Sequence, residues 1–413
     1  MRIGLFTDTY DPHINGVATS IAMLEKALRD KGHQVFVVTV NPDELSYNFE
    51  NSDRIIRIPG IPTGIYDYRL SGIYPIKAVN KIKEWNLDVI HSHTEFGIGT
   101  FARIIAKRFD IPVVHTYHTM YEDYVHYITK GFFDTPSKKI VEYLTKFYCD
   151  KTAKELIVPT KKTYDLFKEK YKFDRNVHII PTGIDVEKFH KDKINIQNQK
   201  AIRFKYNISE DDFVILFVGR IAKEKNIEFL IENHVSIVEK NKKAKLLIVG
   251  DGPDKEELMK LTEKLKIKNN VIFTGKVPWN EIVDYYTLAN VFTTASHTET
   301  QGLTLIEAMA ASLPVIALDD EAFNTIVIDD LNGYLFKDKK GYKNSIEKLM
   351  KDPEKLIRMG KQARINSDAY SSKYYAERVL DVYKSALEGR DTNKKRGFFS
   401  TAKDVIKRGI KGE

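Results

Sequence analysis

The stretch NVFTTASHTETQGLTLIEAMA, residues 290–310, passes from a short apolar segment through a hydroxyl-rich loop into a helical pattern. The segment Asn290–Ala295 predicts a buried strand, and the residues after Gly302 predict the helix that follows it. A strand that leads directly into a helix is the unit from which parallel α/β sheets are built. Two carboxylates, Glu299 and Glu307, lie on either side of the glycine, so this junction predicts a ligand site as well as a fold.

The same strand–helix unit recurs along the chain in two series. The strand candidates are nearly all apolar, as is typical of parallel strands that are buried on both faces. They are Arg2–Thr7, Gln34–Val40, Arg54–Ile58, Asp88–His91, Pro112–Thr116, Glu155–Pro159, Val177–Ile180, Phe213–Val218, Lys245–Gly250, Val271–Phe273, Asn290–Ala295 and Pro314–Leu318. The polar stretch 188–212 separates the two series and predicts a domain connection. Two α/β domains in tandem leave a cleft at the carboxyl ends of their strands, where such proteins bind ligands.

Length and composition agree with a globular protein of two domains. The chain has 413 residues, which is too many for one ordinary core. No apolar run approaches the ~20 residues that span a bilayer, and MRIGLFTDTY predicts a first buried strand rather than a signal peptide. Cys149 is the single cysteine, which is typical of a reducing cytosol. The net charge of +8 favours nucleic acid, an anionic membrane or a phosphorylated ligand as partner, unless it serves solubility alone.

Basic residues follow the first strand of the second series, in VGRIAKEKNIEFL, residues 218–230. Gly219 at the strand end lets the backbone approach a ligand closely. Arg220 offers a planar fork of donors suited to phosphate oxygens, and Lys225 adds a point charge. The alternative is a solvated basic loop without a ligand.

Glycines elsewhere argue against a dinucleotide cofactor. Gly250, Gly252 and Pro253 predict a tight turn in which Asp254 caps the next helix. This turn is too short for the pattern G-x-G-x-x-G, and only Gly16 follows the first strand, so a nicotinamide dehydrogenase is disfavoured.

The junction at residues 296–310 has the features of a phosphate site. Gly302, Leu303 and Thr304 fall in the first helical turn, where backbone N–H groups lack helical partners and carry the positive end of the dipole. Glu299 in the loop and Glu307 in the helix can each accept two hydrogen bonds from a sugar diol. A nucleotide sugar has hydroxyls on both sides of its phosphates, so it fits this pattern. The alternative is a helix with ordinary surface glutamates.

These segments resemble a known family. VGRIAKEKNIEFL, GDGP and SHTETQGLTLIEAMAASLPVIA, in this order, resemble the retaining GT-B glycosyltransferases of family 4, which carry a Glu-x7-Glu motif. FTDTYDPHINGVATSI and IIPTGIDVEKF extend the similarity over nearly the whole chain. The resemblance implies a GT-B fold, with two Rossmann-like domains facing across a cleft. Residues 1–196 would bind acceptor and membrane, residues 197–375 would bind the donor, and residues 376–413 would form a helix returning to the first domain and a basic amphipathic tail.

The resemblance also implies donor-site roles. Arg220 and Lys225 would stabilise the leaving nucleoside diphosphate, and Glu299 would face the 3- and 4-hydroxyls of the transferred sugar. The other expected donor contacts are Gly16 and Gly219 near the phosphates, the N–H groups of Gly302, Leu303 and Thr304, Glu307 on the ribose, and the backbone at Val277 on the base. Because the base is read by backbone groups, the sequence decides poorly between UDP and GDP.

His118, in VVHTYHTMYEDYVHYI, is expected to line the cleft and to contact the hexose near its 6-hydroxyl, as the resemblance implies. Asp11 and Glu95 are weaker candidates for the acceptor side. The neighbouring histidines, which raise a zinc site as an alternative, are His91, His93, His115 and His126. They come from different segments without the spacing of ligands, so no metal is expected.

The expected chemistry needs no resident cofactor. A phosphate is already a good leaving group, so preorganised positive charge serves better than an acid catalyst. The resemblance implies retention, with attack on the face that the phosphate leaves and with Glu299 binding sugar rather than forming a covalent bond. A retaining glycosidase also pairs two carboxylates, but it needs no phosphate site. The UDP-sugar is a co-substrate, and Mg²⁺ is expected at most as a stimulator.

Two basic and aromatic regions point to a membrane. GFF, with Phe132 and Phe133, precedes Lys138 and Lys139, and most of the apolar stripe that follows is equally typical of a core helix. The tail NKKRGFFSTAKDVIKRGIKGE puts basic and apolar residues on opposite helical faces, as suits an anionic bilayer. Its expected contacts are Lys394, Lys395, Arg396, Phe398 and Phe399. A solvated, frayed terminus is the alternative, and no nucleic-acid motif accompanies the tail.

Within the family, NGVATSI and HTYHTMYEDYVHYI look most like the bacterial diacylglycerol α-glucosyltransferases. That resemblance implies transfer of glucose from UDP-glucose to the 3-hydroxyl of 1,2-diacylglycerol by a peripheral enzyme at the cytoplasmic face of the cell membrane. Alternatives within the class are a phosphatidylinositol mannosyltransferase that uses GDP-mannose and an enzyme with a soluble acceptor. A membrane-associated protein that binds sugar nucleotides without transferring them is the alternative of another class.

Overall fold

The structure is a computed structural model, which describes residues 1–13, 15–50, 54–62, 69–72, 75–95, 97–118, 142–143, 145–190 and 193–388. Two α/β domains occupy this part of the chain, and each is built on its own largely parallel sheet. The fold class predicted from the alternation of strands and helices is therefore confirmed.

The first domain contains an eight-stranded sheet among its described residues. The strands of this half are β1 Arg2–Phe6, β2 Gln34–Val40, β3 Asn48–Glu50, β4 Ile55–Ile58, β5 Gly60–Pro62, β6 Arg69–Ser71, β7 Val89–Ser92, β8 Val113–Thr116, β9 Glu155–Val158 and β10 Asn176–Ile179. The sheet order is β10-β9-β8-β7-β1-β2-β4-β3, with β3 antiparallel to β4, and β5 pairs with β6 alone. The helices are α1 Gly16–Asp30, α2 Ile76–Trp85, α3 Gly97–Phe109 and the short α4 Lys161–Asp165.

The second domain contains a six-stranded sheet in which every pair is parallel. Its strands are β11 Phe213–Val218, β12 Ala244–Val249, β13 Val271–Phe273, β14 Val291–Thr294, β15 Val315–Leu318 and β16 Gly333–Phe336, in the order β13-β12-β11-β14-β15-β16. The later helices are α5 Ile196–Lys205, α6 Ile227–Lys240, α7 Lys255–Lys264, α8 Ile282–Leu288, α9 Leu303–Ala310, α10 Lys339–Lys351, α11 Pro353–Ser367 and α12 Ser372–Glu388.

Burial explains why the apolar runs became strands. Residues Val214–Phe217 of β11 and Leu246–Val249 of β12 are at most 1% exposed, because helices cover both faces of the sheet.

Some elements of the structure were not predicted from the sequence. The short strands β3, β5, β6 and β16 are among them. The polar stretch 188–212, predicted as a domain connection, contains α5, a helix that was not predicted. Asn195 caps α5 by accepting hydrogen bonds from the N–H groups of Gln197 and Asn198. None of the side chains of α5 is buried, so the sequence shows no apolar periodicity there.

The last described helix, α12, returns to the first domain. Tyr375, Val379 and Tyr383 are buried in the same core as Ile3 and Leu5 of β1. Conversely, the segment that follows β10 of the first domain packs into the core of the second domain. Its buried side chains there are Ile184, Val186 and Phe189.

The chain thus crosses between the domains near residues 184 and 371, ahead of the boundaries expected at 196 and 375. The two crossings are bonded to each other, because Ile184 N–H donates to Tyr370 O at 2.9 Å and Ser372 N–H donates to Ile184 O at 2.8 Å. Gly183 permits this approach, since a Cβ there would lie 2.8 Å from Ser372 Cα. Within the described ranges, no helix is long and apolar enough to cross a membrane.

Candidate active site

The basic loop and the acidic loop of the second domain meet because their strands are neighbours. β11 pairs with β14 in the sheet, so the segments that follow these strands leave the same edge side by side. Lys225 of the first loop reaches Glu299 of the second, as expected for adjacent strand ends. Arg220 follows the same strand as Lys225 and pairs with Glu224 of its own loop, so the charged group at the carboxyl end of the sheet consists of the Lys225–Glu299 pair and the Arg220–Glu224 pair.

Lys225 forms an ion pair with Glu299, and both side chains are about one-fifth exposed. Burial alone would raise the pKa of Glu299, but Lys225 and hydrogen bonding from Ser296 hold it below the ordinary value. Lys162, on α4 of the first domain, lowers the same pKa through its charge. Glu299 is therefore an ionised acceptor at neutral pH, ready for sugar hydroxyls.

Arg220 is oriented by a partner that sequence reasoning missed. Glu224, four residues later and nearly fully buried, pairs with the Arg220 guanidinium. The backbone carbonyl of Glu224 also accepts a hydrogen bond from Ser296 Oγ at 3.3 Å, which links the two loops. The spacing of four residues in RIAKE was a signal that could have identified Glu224 as the partner.

Helix α9 starts at this charged group. Gly302 is its N-cap residue with a φ of 81°, and a Cβ there would lie 2.5 Å from Phe323 Cε1, so the position requires glycine. Leu303 and Thr304 form the first turn, where backbone N–H groups have no helical acceptor. The positive end of the helix thus lies beside Glu299, as expected for a phosphate site.

Glu307 lies on α9 in a nearly closed environment. Its carboxylate accepts a hydrogen bond from Tyr286 Oη at 2.7 Å, and it is 7% exposed. Burial raises the pKa of Glu307 to about 7, although the bond from Tyr286 and the charge of Lys188 both lower it. With this pKa, the carboxyl group can ionise near neutral pH and accept hydrogen bonds from hydroxyl groups.

Lys188 comes from the first crossing and was not singled out in the sequence. Its ammonium group lies over the Trp279 ring, 2.8 Å from the ring centre, and donates to Trp279 O at 2.7 Å. Burial lowers the pKa of Lys188 to about 8. Val277 and Trp279 pack against the core cluster that includes Leu305 and Ile306 of α9, and the base-reading role of Val277 stays a prediction.

Two residues of the first domain face the donor loop. Gly16, at the start of α1, is exposed, and a Cβ there would lie 3.6 Å from Leu303 Cδ1. Thr160, which caps α4, donates through Oγ1 to Thr300 O at 3.0 Å. The cleft between the sheets is therefore bordered by Gly16 on one side and by the start of α9 on the other.

His118 follows β8 and joins a group of histidines at the carboxyl edge of the first sheet. His118 Nε2 lies 3.0 Å from His93 Nδ1, and the His93 and His91 rings lie 4.0 Å apart between their centres, tilted by 36°. His91 in turn contacts Tyr383 Oη of α12 at 2.7 Å. Burial lowers the pKa of His118 to about 4, so His118 is neutral near pH 7 and serves as a hydrogen-bonding group.

Of the histidines that lacked ligand spacing in the sequence, His91, His93 and His115 lie near one another, whereas His126 lies outside the described residues. In the described part of the chain, potential ligand atoms of Glu95, His115 and Cys149 lie within 4.8 Å of one another. Arg103 interacts electrostatically with Glu95 and Cys149. Because this guanidinium already balances the carboxylate, the prediction of no resident metal is kept. Glu95 is 3% exposed and contacts His115 Nε2 at 3.1 Å, and its charge acts on His118, so its place on the acceptor side stays a prediction.

The remaining candidates differ in position. Asp11 is exposed. Outside the described residues lie the expected membrane contacts, which are Phe132, Phe133, Lys138, Lys139, Lys394, Lys395, Arg396, Phe398 and Phe399.

Asp8, which sequence reasoning left aside, follows β1 and accepts a hydrogen bond from Ile98 N at 2.9 Å. Burial raises the pKa of Asp8 to about 6.

Comparison with protein families divides the chain as its two sheets do. Residues 14–188 match the model described as Glycosyltransferase Family 4, and residues 198–366 match the model described as Glycosyl transferases group 1. The two matches cover the first domain and the second domain respectively, including every expected donor-site residue.

Curated relatives and solved structures agree with this assignment. The chain is 38% identical to an alpha-monoglucosyldiacylglycerol synthase of Acholeplasma laidlawii over 96% of its own length and 100% of the relative. It is 39% identical to an alpha-monoglucosyldiacylglycerol synthase of Streptococcus pneumoniae over 81% of its length and 75% of the relative. Its fold is similar to that of Anabaena Alr3699/HepE, solved with UDP and glucose, with a TM-score of 0.71 at 16% identity over 93% of this chain and 99% of that one.

Proposed function

The chain belongs to the family 4 glycosyltransferases, in the group of the α-monoglucosyldiacylglycerol synthases, and we propose that it transfers glucose from UDP-glucose to the 3-hydroxyl of 1,2-diacylglycerol. The observation that carries this proposal is the Lys225–Glu299 ion pair ahead of the amino end of α9, with Arg220 in the same loop as Lys225. It offers positive charge to a pyrophosphate and an ionised carboxylate to the adjoining sugar. The names of the two curated relatives supply the sugar and the lipid acceptor.

The leaving UDP determines which groups matter most for the rate. As the bond between glucose and phosphate breaks, negative charge grows on the β-phosphate. Arg220, Lys225 and the first N–H groups of α9 would stabilise that charge without moving, since Glu224 and the helix already hold them in place. Glu307 would accept the ribose hydroxyls at the other end of the donor.

The acceptor hydroxyl would attack from the first domain, on the face that the phosphate leaves, with retention at the anomeric carbon. His118 would orient the hexose near its 6-hydroxyl. Its depressed pKa keeps the imidazole neutral, so it can both accept and donate a hydrogen bond. No resident metal is needed in this scheme, and Mg²⁺ would act only as a stimulator.

Action on a lipid requires contact with a bilayer. We place the enzyme at the cytoplasmic face of the cell membrane as a peripheral protein, held by the basic and aromatic residues in 131–139 and 394–399. The net charge of +8 supports attraction to anionic phospholipid.

A transfer assay tests the proposal. The protein is incubated with UDP-[¹⁴C]glucose and mixed micelles of diacylglycerol and anionic phospholipid, and the lipid phase is extracted. We expect label in one glycolipid, loss of at least about 100-fold in Arg220→Ala and Glu299→Gln, and unchanged transfer in Glu210→Gln, which alters an exposed glutamate in the loop before β11. EDTA should leave transfer measurable.

Other outcomes would redirect the assignment. Label from GDP-mannose into phosphatidylinositol would favour the mannosyltransferase alternative, and label only in water-soluble products would favour a soluble acceptor. Binding to liposomes without turnover of UDP-glucose, UDP-galactose or GDP-mannose would contradict an enzymatic function.

A further inference from the structure

Gln301 lies inside the donor loop, between Glu299 and Gly302, and its side chain binds a residue outside that loop. Gln301 Oε1 accepts from Thr182 N–H at 2.8 Å, and Gln301 Nε2 donates to Thr182 O at 3.1 Å. One amide group thus satisfies both backbone polar groups of a residue 119 positions away. Both residues are 5% exposed, so water competes poorly for these bonds.

Thr182 belongs to the first crossing between the domains. It follows β10 of the first sheet and precedes Ile184, which bonds to the second crossing at Tyr370 and Ser372. Any rotation of one domain against the other must change backbone angles in this short stretch. The donor loop is therefore hydrogen-bonded to a segment whose backbone would have to change if the domains turned against each other.

A second contact fastens the preceding residue of the loop. Thr300 O accepts from Thr160 Oγ1 of the first domain at 3.0 Å. Nearby, Lys162 of the first domain pairs with Asp320 of the second at 3.0 Å, and its charge also acts on Glu299. Two consecutive loop residues, Thr300 and Gln301, are thus held by segments outside the second domain's own sheet.

We propose that Gln301 is a positioning residue that couples the geometry of the donor loop to the arrangement of the two domains. With its bonds to Thr182 intact, the carboxylate of Glu299 and the first N–H groups of α9 keep their places relative to Arg220. When the crossing moves, Gln301 pulls the loop with it, so donor affinity depends on domain position. The inference rests on the proposed donor site but not on the identity of the acceptor.

The test removes both hydrogen bonds while keeping side-chain volume, with Gln301→Met. Gln362→Met is the matched control, because Gln362 bonds only to Asn366 of its own helix among the contacts described. Three quantities are compared with the unaltered enzyme: the Kd of UDP by calorimetry, KM and kcat for UDP-glucose, and hydrogen exchange of peptides covering 180–186 and 296–304.

We expect the Kd of UDP and the KM of UDP-glucose to rise about tenfold in Gln301→Met, the loss of two hydrogen bonds of modest net strength. The turnover at saturating donor should change less than about twofold, since bound donor restores the loop at the expense of binding energy. Exchange should accelerate in 296–304, and Thr160→Val should act in the same direction. The control should match the unaltered enzyme.

A purely structural role gives a different pattern: kcat falls with the active fraction, while KM and the Kd of UDP stay the same. That pattern, or unchanged exchange in 296–304, would overturn the inference. Because calorimetry and exchange need no lipid, an enzyme that binds UDP but ignores diacylglycerol would refute the proposed acceptor and leave this inference intact.

Discussion

Replacing Glu307 by glutamine should make the empty enzyme more stable at alkaline pH while weakening its hold on the donor. The carboxylate is buried against Tyr286, and burial raises its pKa from the usual 4.5 to about 7. A raised pKa means that the folded protein binds this proton more tightly than the unfolded chain does. The resulting stability is fully present below about pH 4.5 and is lost as the pH rises through about 7.

The size of the effect follows from that difference in pKa. At about 1.4 kcal/mol per pH unit, the interval from 4.5 to about 7 corresponds to roughly 3 kcal/mol, most of which falls between pH 5 and pH 8. Glutamine keeps the shape and can still accept the bond from Tyr286, but it carries no charge to bury. Glu307→Gln should therefore match the unaltered protein near pH 5 and exceed it by about 2 kcal/mol at pH 8.

Urea unfolding at pH 5, 6.5 and 8 measures this difference. Trp279 packs against the same core as α9, so its fluorescence reports on the second domain, and a Trp85→Phe background removes the other tryptophan. Glu210→Gln, an exposed change, serves as the control that should show no pH-dependent difference. The UDP affinity of Glu307→Gln should fall about tenfold or more, since a charged acceptor for the ribose is lost. A pH-independent difference, or a variant less stable than its parent at pH 8, would refute the reasoning.

Three further predictions concern the charged group, the histidines and the last helix. Lys225→Ala should reduce kcat by about 100-fold or more, because a preorganised cation is lost and Glu299 is left without it; transfer kinetics within tenfold of the parent would contradict this. His118 should stay neutral down to about pH 5, because burial lowers its pKa to about 4; histidine NMR, with His118→Asn for assignment, would show titration near 6.5 if the site is open to water. Folding stability should also fall as the pH drops below about 6.5. In that range the imidazole of His118 binds a proton in the unfolded chain but stays neutral in the folded protein. Tyr383→Phe should cost about 1–2 kcal/mol in urea unfolding, because His91 loses a buried partner, whereas Tyr374→Phe on the exposed face of the same helix should cost little.

The sequence was most informative where burial decides structure. Runs such as Phe213–Val218 were predicted with correct bounds, because a strand covered on both faces must be apolar throughout. Helix α5 escaped prediction because none of its side chains is buried, and only its Asn195 cap identifies its start. β16 has the same length as β14 and β15 but was missed, because it begins with a glycine, a residue type that strands seldom contain.

The same division applies to the site. Arg220, Lys225, Glu299 and Gly302 could be selected because each follows a predicted strand, and neighbouring strands bring such residues together. Their supporting partners could not be selected in this way. Tyr286 reaches Glu307 from another helix, and Thr182 reaches Gln301 across 119 positions, so no local spacing connects them.

The position of α12 has a consequence for how the protein is made. Ribosomes release the first domain early, and N-terminal domains generally fold first. Here, however, the core around β1 needs Tyr375, Val379 and Tyr383, which are synthesised only after the whole second domain. Helix α1 can cover part of this apolar face at once, but we expect the part that α12 covers to stay exposed until the second domain has been synthesised.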